Sequence, residues 1–239
     1  MCKQNSLITR YWLAAAVMMA LLGPLAGVGR GNFILTDDQQ LTVNSSHSTG
    51  VLYDTSRAFI VPGGWVDYLR AYNSSSVDMS GGSVGGLVAY DSSSVNMSGG
   101  SVGGGTAAYS SSVNISGGSV YSLVTQHSSS VDISGGTVGN LYTYQFSSVD
   151  ISGGSVGYLS TSGSSTVNLH GRNFSLGDGL ILYGDRVLGT GWLYGEWFDR
   201  TGWSTLIGYN APTSTILAVP EPTTLFLLGF GAVMVRRNG

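Results

Sequence analysis

Ser76-Val77-Asp78-Met79-Ser80-Gly81-Gly82-Ser83-Val84-Gly85-Gly86-Leu87 is one copy of a unit that returns every 18 residues. Further copies start from Val95, Val113, Val131 and Val149, a worn one from Val167, and an earlier degenerate one reads Phe59 to Leu69. A fixed period over this length is the signature of a repeat architecture. Within a copy, Val77 and Met79 flank Asp78, the apolar–polar alternation of a half-buried strand. The same apolar slots hold Val95 and Met97, Val113 and Ile115, Val131 and Ile133, Val149 and Ile151. Gly81-Gly82 permits a sharp corner. A second apolar pair follows, Val84 with Leu87, matched by Val120 with Leu123, Val138 with Leu141 and Val156 with Leu159. Gly105 stands in one Leu slot, so one layer is expected to be thin.

One copy offers about four apolar side chains. At roughly 1.5–3 kcal/mol each, they cannot offset ordering 18 residues at ~1 kcal/mol or more apiece. Stacking changes the balance, because each coil caps its neighbours and backbone groups pair between coils. The expected fold is therefore all-β: a parallel β-solenoid of 18-residue coils over 59–171, with a frayed N-terminal coil or cap over 31–58 and an irregular β cap over 172–218. A disordered Ser/Gly linker and a stack of antiparallel hairpins are the competing readings. Low charge and regular Val, Ile and Leu weigh against the first. Leu41-Thr42-Val43 lies 18 residues before Phe59 and fits the frayed coil. The apolar offsets do not follow a period of six, so handedness stays open.

Residues 1–30 read as a secretory signal peptide: basic Lys3 and Arg10, an apolar run Tyr11 to Leu22, a Gly23-Pro24 break and small residues before the body. The run is too short for a bilayer needing ~20 residues. Cys2, the one cysteine, would leave with the leader, so the body would have no disulfide and no thiol nucleophile. Between Ala71 and His170 there is no Lys or Arg, which removes the basic stripe a nucleic-acid surface needs. Without the leader and a tail from Pro220, five arginines face twelve acids, a net charge near −7 that disfavours anionic partners.

Candidate chemistry is sparse. The polar column Asp78, Asn96, Asn114, Asp132 and Asp150 would stack at ~4.8 Å along one face. Its acids lie on a flat ladder with no basic neighbour inside the array, unlike the two opposed carboxyls of a glycosidase. His47, His127 and His170 occupy different repeat positions and read as polar loop residues without metal-ligand spacing. No G-x-S-x-G elbow accompanies the serines. The G-G-x-G-x-D nonapeptide of calcium-binding solenoids is missing. No catalytic residue, metal or cofactor is expected. In 172–218, Trp192, Trp197 and Trp203 read either as a hydrophobic seal on the last coil or, if exposed, as a sugar-stacking platform.

The C-terminal residues 219–239 run Val219-Pro220-Glu221-Pro222-Thr223-Thr224, then apolar Leu225 to Val235, then Arg236-Arg237. That order is an extended break, an apolar helix and a basic stop. It resembles the PEP-CTERM sorting signal of exported bacterial proteins, with Pro220, Glu221 and Pro222 as the signature triplet. The body resembles surface and adhesin-like solenoids in general style. The resemblance implies processing by an exosortase, a membrane cysteine protease, after signal peptidase has acted. It further implies transient membrane anchoring through the C-terminal helix and an envelope associated with exopolysaccharide. Three functions follow as expectations: a non-catalytic structural or adhesive protein of the cell surface or extracellular matrix, touching exopolysaccharide or other surface proteins; a glycan-binding module; or a polysaccharide-acting β-helix enzyme. The lack of a cation in the array weighs against lyase chemistry in the last.

Overall fold

The computed structural model describes residues 30–219. The signal peptide and the two terminal hydrophobic helices expected from the sequence lie outside the described residues. So do Pro220, Glu221, Pro222, Arg236 and Arg237.

The body Gly31–Val219 is a stack of coils. β1 (Gly31–Leu35) precedes the first full coil, β2 (Gln40–Val43) with β3 (Ser46–Leu52). β4 (Arg57–Ile60) and β5 (Trp65–Ala71) form the next. β6 (Ser76–Ala89) and β7 (Ser94–Ala107) each run through a whole coil. Then come β8 (Ser112–Ile115) with β9 (Ser119–Thr125), β10 (Ser130–Ile133) with β11 (Thr137–Thr143), and β12 (Ser148–Ile151) with β13 (Ser155–Thr161). β14 (Thr166–His170) leads into β15 (Arg172–Leu176), β16 (Leu180–Tyr183), β17 (Arg186–Gly189) and β18 (Gly191–Glu196). β19 (Gly202–Asn210) and β20 (Thr215–Val219) complete the described chain.

Equivalent strands pair in parallel, one coil on the next. Val77, Val95, Val113, Val131, Val149 and Val167 form one unbroken column, and Met79, Met97, Ile115, Ile133, Ile151 and Leu169 another. Both columns are almost wholly buried. Identical β-branched side chains in register pack on a half-buried pleat, which is why Val and Ile dominate here. At the corner, the second glycine takes positive φ, as Gly100 does at 85°. A Cβ on Gly99 would stand 2.6 Å from the carbonyl oxygen of Ser80 in the preceding coil. Two glycines are therefore needed, one for conformation and one for close approach.

Two further inward columns are hidden in the small and polar residues. Ala71, Ala89, Ala107, Thr125, Thr143 and Thr161 are buried at the end of the second strand. Ser56, Ser75, Ser93, Ser111, Ser129, Ser147 and Ser165 are buried in the turn that closes each coil. In the C-terminal coils the two columns bond: Thr125 Oγ1 donates to Ser147 Oγ at 3.0 Å, and Thr143 and Ser165 hydroxyls meet at 2.9 Å. Alanine opposite leaves the Ser93 and Ser111 hydroxyls without a hydrogen-bond partner.

The register corrects the sequence frame at the N-terminal end. Ala58, not Phe59, sits beneath Val77, and Ile60 beneath Met79. The turn Val61-Pro62-Gly63-Gly64 holds one residue more than Ser80-Gly81-Gly82, so the 18-residue spacing slips there while Val66 still pairs with Val84. Phe59 consequently points outward, under the Arg57 guanidinium at 4.7 Å. Leu41 pairs with Ala58, and β2 and β3 stack in continuous register on β4 and β5, while β1 shifts register between Gly31 and Asn32.

The chain after His170 also departs from a wholly irregular cap. β19 and β20 rejoin the parallel stack, Leu159 pairing with Ile207 and Val167 with Ile216. The segment between, β15 to β18, is an antiparallel insertion inside the last coil. β18 pairs with β19 and β17 touches β20, closing the outer edge of the parallel ladder. At the other end, β1 and β2 pair on one side only among the described residues.

Candidate functional site

Three surface features are candidates, and the repeat positions all of them. The first is the polar column, which projects from the strand opposite the Val and Met/Ile columns. Its N-terminal part is a directional hydrogen-bond chain. Arg57 Nε donates to Asp78 Oδ2 at 2.6 Å, Asn96 Nδ2 to Asp78 Oδ1 at 3.0 Å, and Asn114 Nδ2 to Asn96 Oδ1 at 2.9 Å. An open groove of about 270 Å³ runs beside these residues, bordered by Phe59, Ser80 and Ser98. Each amide donates to the coil before it, and a carboxylate cannot. Asp132 and Asp150 therefore interrupt the chain. Burial and then the neighbouring Asp150 carboxylate raise the pKa of Asp132, while His170 opposes them. Beyond the gap, Asn168 Nδ2 at 3.0 Å and His170 Nε2 at 2.9 Å converge on Asp150 Oδ1. The array contains no cation, but Arg57 and His170 reach in from its two ends. Sequence spacing missed both, since neither occupies a column slot.

The second feature is a ring stack along the closing turns. Tyr53, Tyr72 and Tyr90 lie 5.2 Å apart with planes 13° from parallel. Tyr109 follows tilted by 41° at 6.1 Å from Tyr90, and His127 stacks on Tyr109 at 4.4 Å. His127 is thus a stacking element, His170 a ladder partner on β14, and His47 on β3 packs edge-on to Phe33 of β1. The internal rings spend their faces on one another, so the stack stiffens the edge and leaves little ring face for a sugar.

The third feature is the aromatic insertion. Trp197 and Trp203 are 4 % and 9 % exposed and stack on each other at 4.7 Å. Trp197 Nε1 donates to the Gly154 carbonyl of the solenoid corner at 2.9 Å. Both rings seal the end of the core, and Trp197 also borders an open groove beside Gly153, Gly154 and Phe198. Trp192 is 46 % exposed and lies beside exposed Tyr194 on the outer face of β18. The three tryptophans therefore do not form one platform. Among the described residues, no three His, Cys, Asp or Glu side chains are placed to hold a metal ion. None of the described residues forms a helix long and apolar enough to cross a membrane.

The last described coil ends at Val219, immediately before Pro220-Glu221-Pro222. Residues 218–238 match the PEP-CTERM protein-sorting motif. The PEP-CTERM signal indicates export and sorting to the cell surface, and implies processing by an exosortase. It follows the final solenoid strand with no intervening linker: β20 runs through Val219 and the match begins at Ala218. No curated protein and no solved structure matches the chain.

Proposed function

We propose that the protein is a non-catalytic structural or adhesive element of the cell surface. In this reading the apolar run Leu225 to Val235 and the Arg236-Arg237 stop hold the chain at the membrane until an exosortase cuts near Pro220-Glu221-Pro222. The solenoid then acts as a stiff spacer whose Asn/Asp face meets extended matrix polysaccharide or neighbouring copies. The observation that carries the reading is the fusion of a sorting motif directly to a stacked-coil body. The polar column supports it. Its amides are largely satisfied by one another, and its acids lie on a single face, whereas glycoside hydrolysis uses carboxyls on opposite sides of the bond.

Mass spectrometry of the surface-released protein tests the sorting step. The expected product ends near Pro222, and a released chain retaining Arg236-Arg237 would overturn it. Co-sedimentation with the host's own exopolysaccharide tests the contact. Replacing Asn96 and Asn114 by Ala is expected to weaken retention, and unchanged retention removes the ladder's role. A second reading, a glycan-binding module, is favoured by one observation only, the exposed Trp192–Tyr194 pair. Trp192→Ala in a glycan array decides it: binding equal to the parent eliminates that surface.

A further inference from the structure

The β16–β17 hairpin rests on the core through buried Leu180 and Val187, yet it carries a run of exposed apolar side chains toward its tip. Beyond Leu180, β16 exposes three consecutive side chains: Ile181 at 62 %, Leu182 at 48 % and Tyr183 at 76 %. Ile181 and Tyr183 lie on the outward face, while Leu182 shares the face of buried Leu180 and Val187 and is still half-exposed near the tip. Runs of exposed apolar residues on a soluble surface carry a solubility cost and call for a function. Its position suggests one. The hairpin tip is fixed to the last coil, with the Ala218 N–H donating to the Asp185 carbonyl at 2.8 Å and Arg186 paired with Leu217. The chain leaves this point for the PEP-CTERM segment. From Ala218 to Leu225, the first residue of the apolar run, there are seven residues, which span at most about 25 Å when fully extended.

We propose that this hairpin is a membrane foot: Ile181, Leu182 and Tyr183 lie in the lipid interface while the sorting segment is still attached. The inference rests on the anchoring reading given above, because the short tether is what brings the tip to the lipid. Two aliphatic side chains and a tyrosine suit the headgroup boundary, where an aromatic ring is half wet. The exposed Asp185 keeps the tip at that boundary and out of the hydrocarbon. The Arg186 guanidinium turns back to the Ser214 carbonyl at 3.1 Å, so apolar contact drives the association and anionic lipid is not required. The foot would fix the angle of the solenoid to the surface and hold Pro220-Glu221-Pro222 near a membrane protease.

The test uses the full chain with Cys2→Ser, reconstituted with phosphatidylcholine vesicles containing brominated acyl chains. Single labels are placed at Leu182→Cys, Val233→Cys and, as a control in mid-array, Ser130→Cys. Interfacial anchoring buries a face about 5–10 Å into the headgroup–acyl boundary, so about twofold or greater quenching is expected at 182 and none at 130. Quenching at 233 without quenching at 182 overturns the foot and leaves the anchoring reading intact. Quenching at neither overturns both, and quenching at 182 alone removes the anchor and with it the tethered foot, leaving a hairpin that meets lipid untethered. A doubled mass in solution, with the 182 label shielded but unquenched, identifies a second copy as the occupant and also overturns the foot.

Discussion

The coils from Ser76 to Ala107 and those from Ser112 to Thr161 share one backbone path but are stabilised differently. In the earlier pair the column that starts at Leu87 is broken: Gly105 stands between Leu87 and Leu123, and a void of about 20 Å³ remains among Ala89, Met97 and Val102. In the later coils Leu123, Leu141 and Leu159 fill that column without interruption. The earlier coils place Ala beneath unpartnered serine hydroxyls, and the later ones place Thr there and bond them. On the outside the order reverses. A continuous chain from Arg57 through Asp78 and Asn96 crosses the earlier coils and ends on Asn114 in the first later strand, beyond which the unbonded Asp132 lies beside Asp150. A repeat therefore does not impose uniform stability, because single residues loosen one layer inside and another outside.

Gly50 shows that a missing side chain need not leave a hole. A Cβ there would meet the Phe33 ring at 2.2 Å, so a neighbouring aromatic occupies the space. No such ring reaches Gly105, whose nearest contact for a Cβ is the flexible end of Leu123 at 3.0 Å.

The largest expected effect comes from opening the tight half. Leu141→Ala should cost about 2–5 kcal/mol in denaturant unfolding, since it removes a fully buried side chain between two others. A loss below half a kilocalorie would mean that the column does not support the stack. Exchanging the buried hydroxyl pattern should move stability in opposite directions. Thr143→Ala should lose about 1 kcal/mol, and Ala89→Thr should gain up to about the same by giving Ser111 a partner. If Ala89→Thr destabilises instead, the void beside it is not accessible to the new side chain. Gly105→Ala should add roughly 0.5–1 kcal/mol, because its φ is not in the left-handed region and the Cβ enters the void. Thermal melts at matched concentration would show it.

The smallest effect is external and depends on pH. Asp132 takes up its proton at a higher pH in the fold than in the unfolded chain. Its ionisation therefore penalises the fold as pH rises through that value, and the penalty vanishes below the ordinary carboxylate pKa. Asp132→Asn should gain about half a kilocalorie at neutral pH, by removing like charge opposite Asp150 and supplying an amide donor toward Asn114. Below pH of about 4 that gain should shrink to what the new amide hydrogen bond contributes by itself. A gain constant with pH would assign the effect to the hydrogen bond alone.

Much of this was legible in the linear pattern, but unevenly. The Val and Met/Ile columns were readable because strong apolar alternation has no cheaper explanation than stacking. The Ala/Thr and Ser columns were not, because small and hydroxylated residues carry no hydrophobic signal and Ser also fills the solvated turns. The slip at Phe59 was invisible, since Phe and Val are equally apolar and only the extra residue at Pro62 shifts the register. Among the site residues, the Asp/Asn column followed from periodicity, while Arg57 and His170 lie outside it and enter only through side-chain reach. Trp197 and Trp203 had the composition of a platform and the position of a plug.

The sequence alone determined the period, the inward Val, Met and Ile columns, the Gly-Gly corner and the sorting address, because each is a local pattern with a local physical cause. Only the tertiary structure decided which tryptophans face solvent, where β19 and β20 rejoin the stack, and that the β16–β17 hairpin meets Ala218 where the chain leaves the body. Those facts depend on residues far apart in the chain being brought together, and no short-range pattern encodes that meeting.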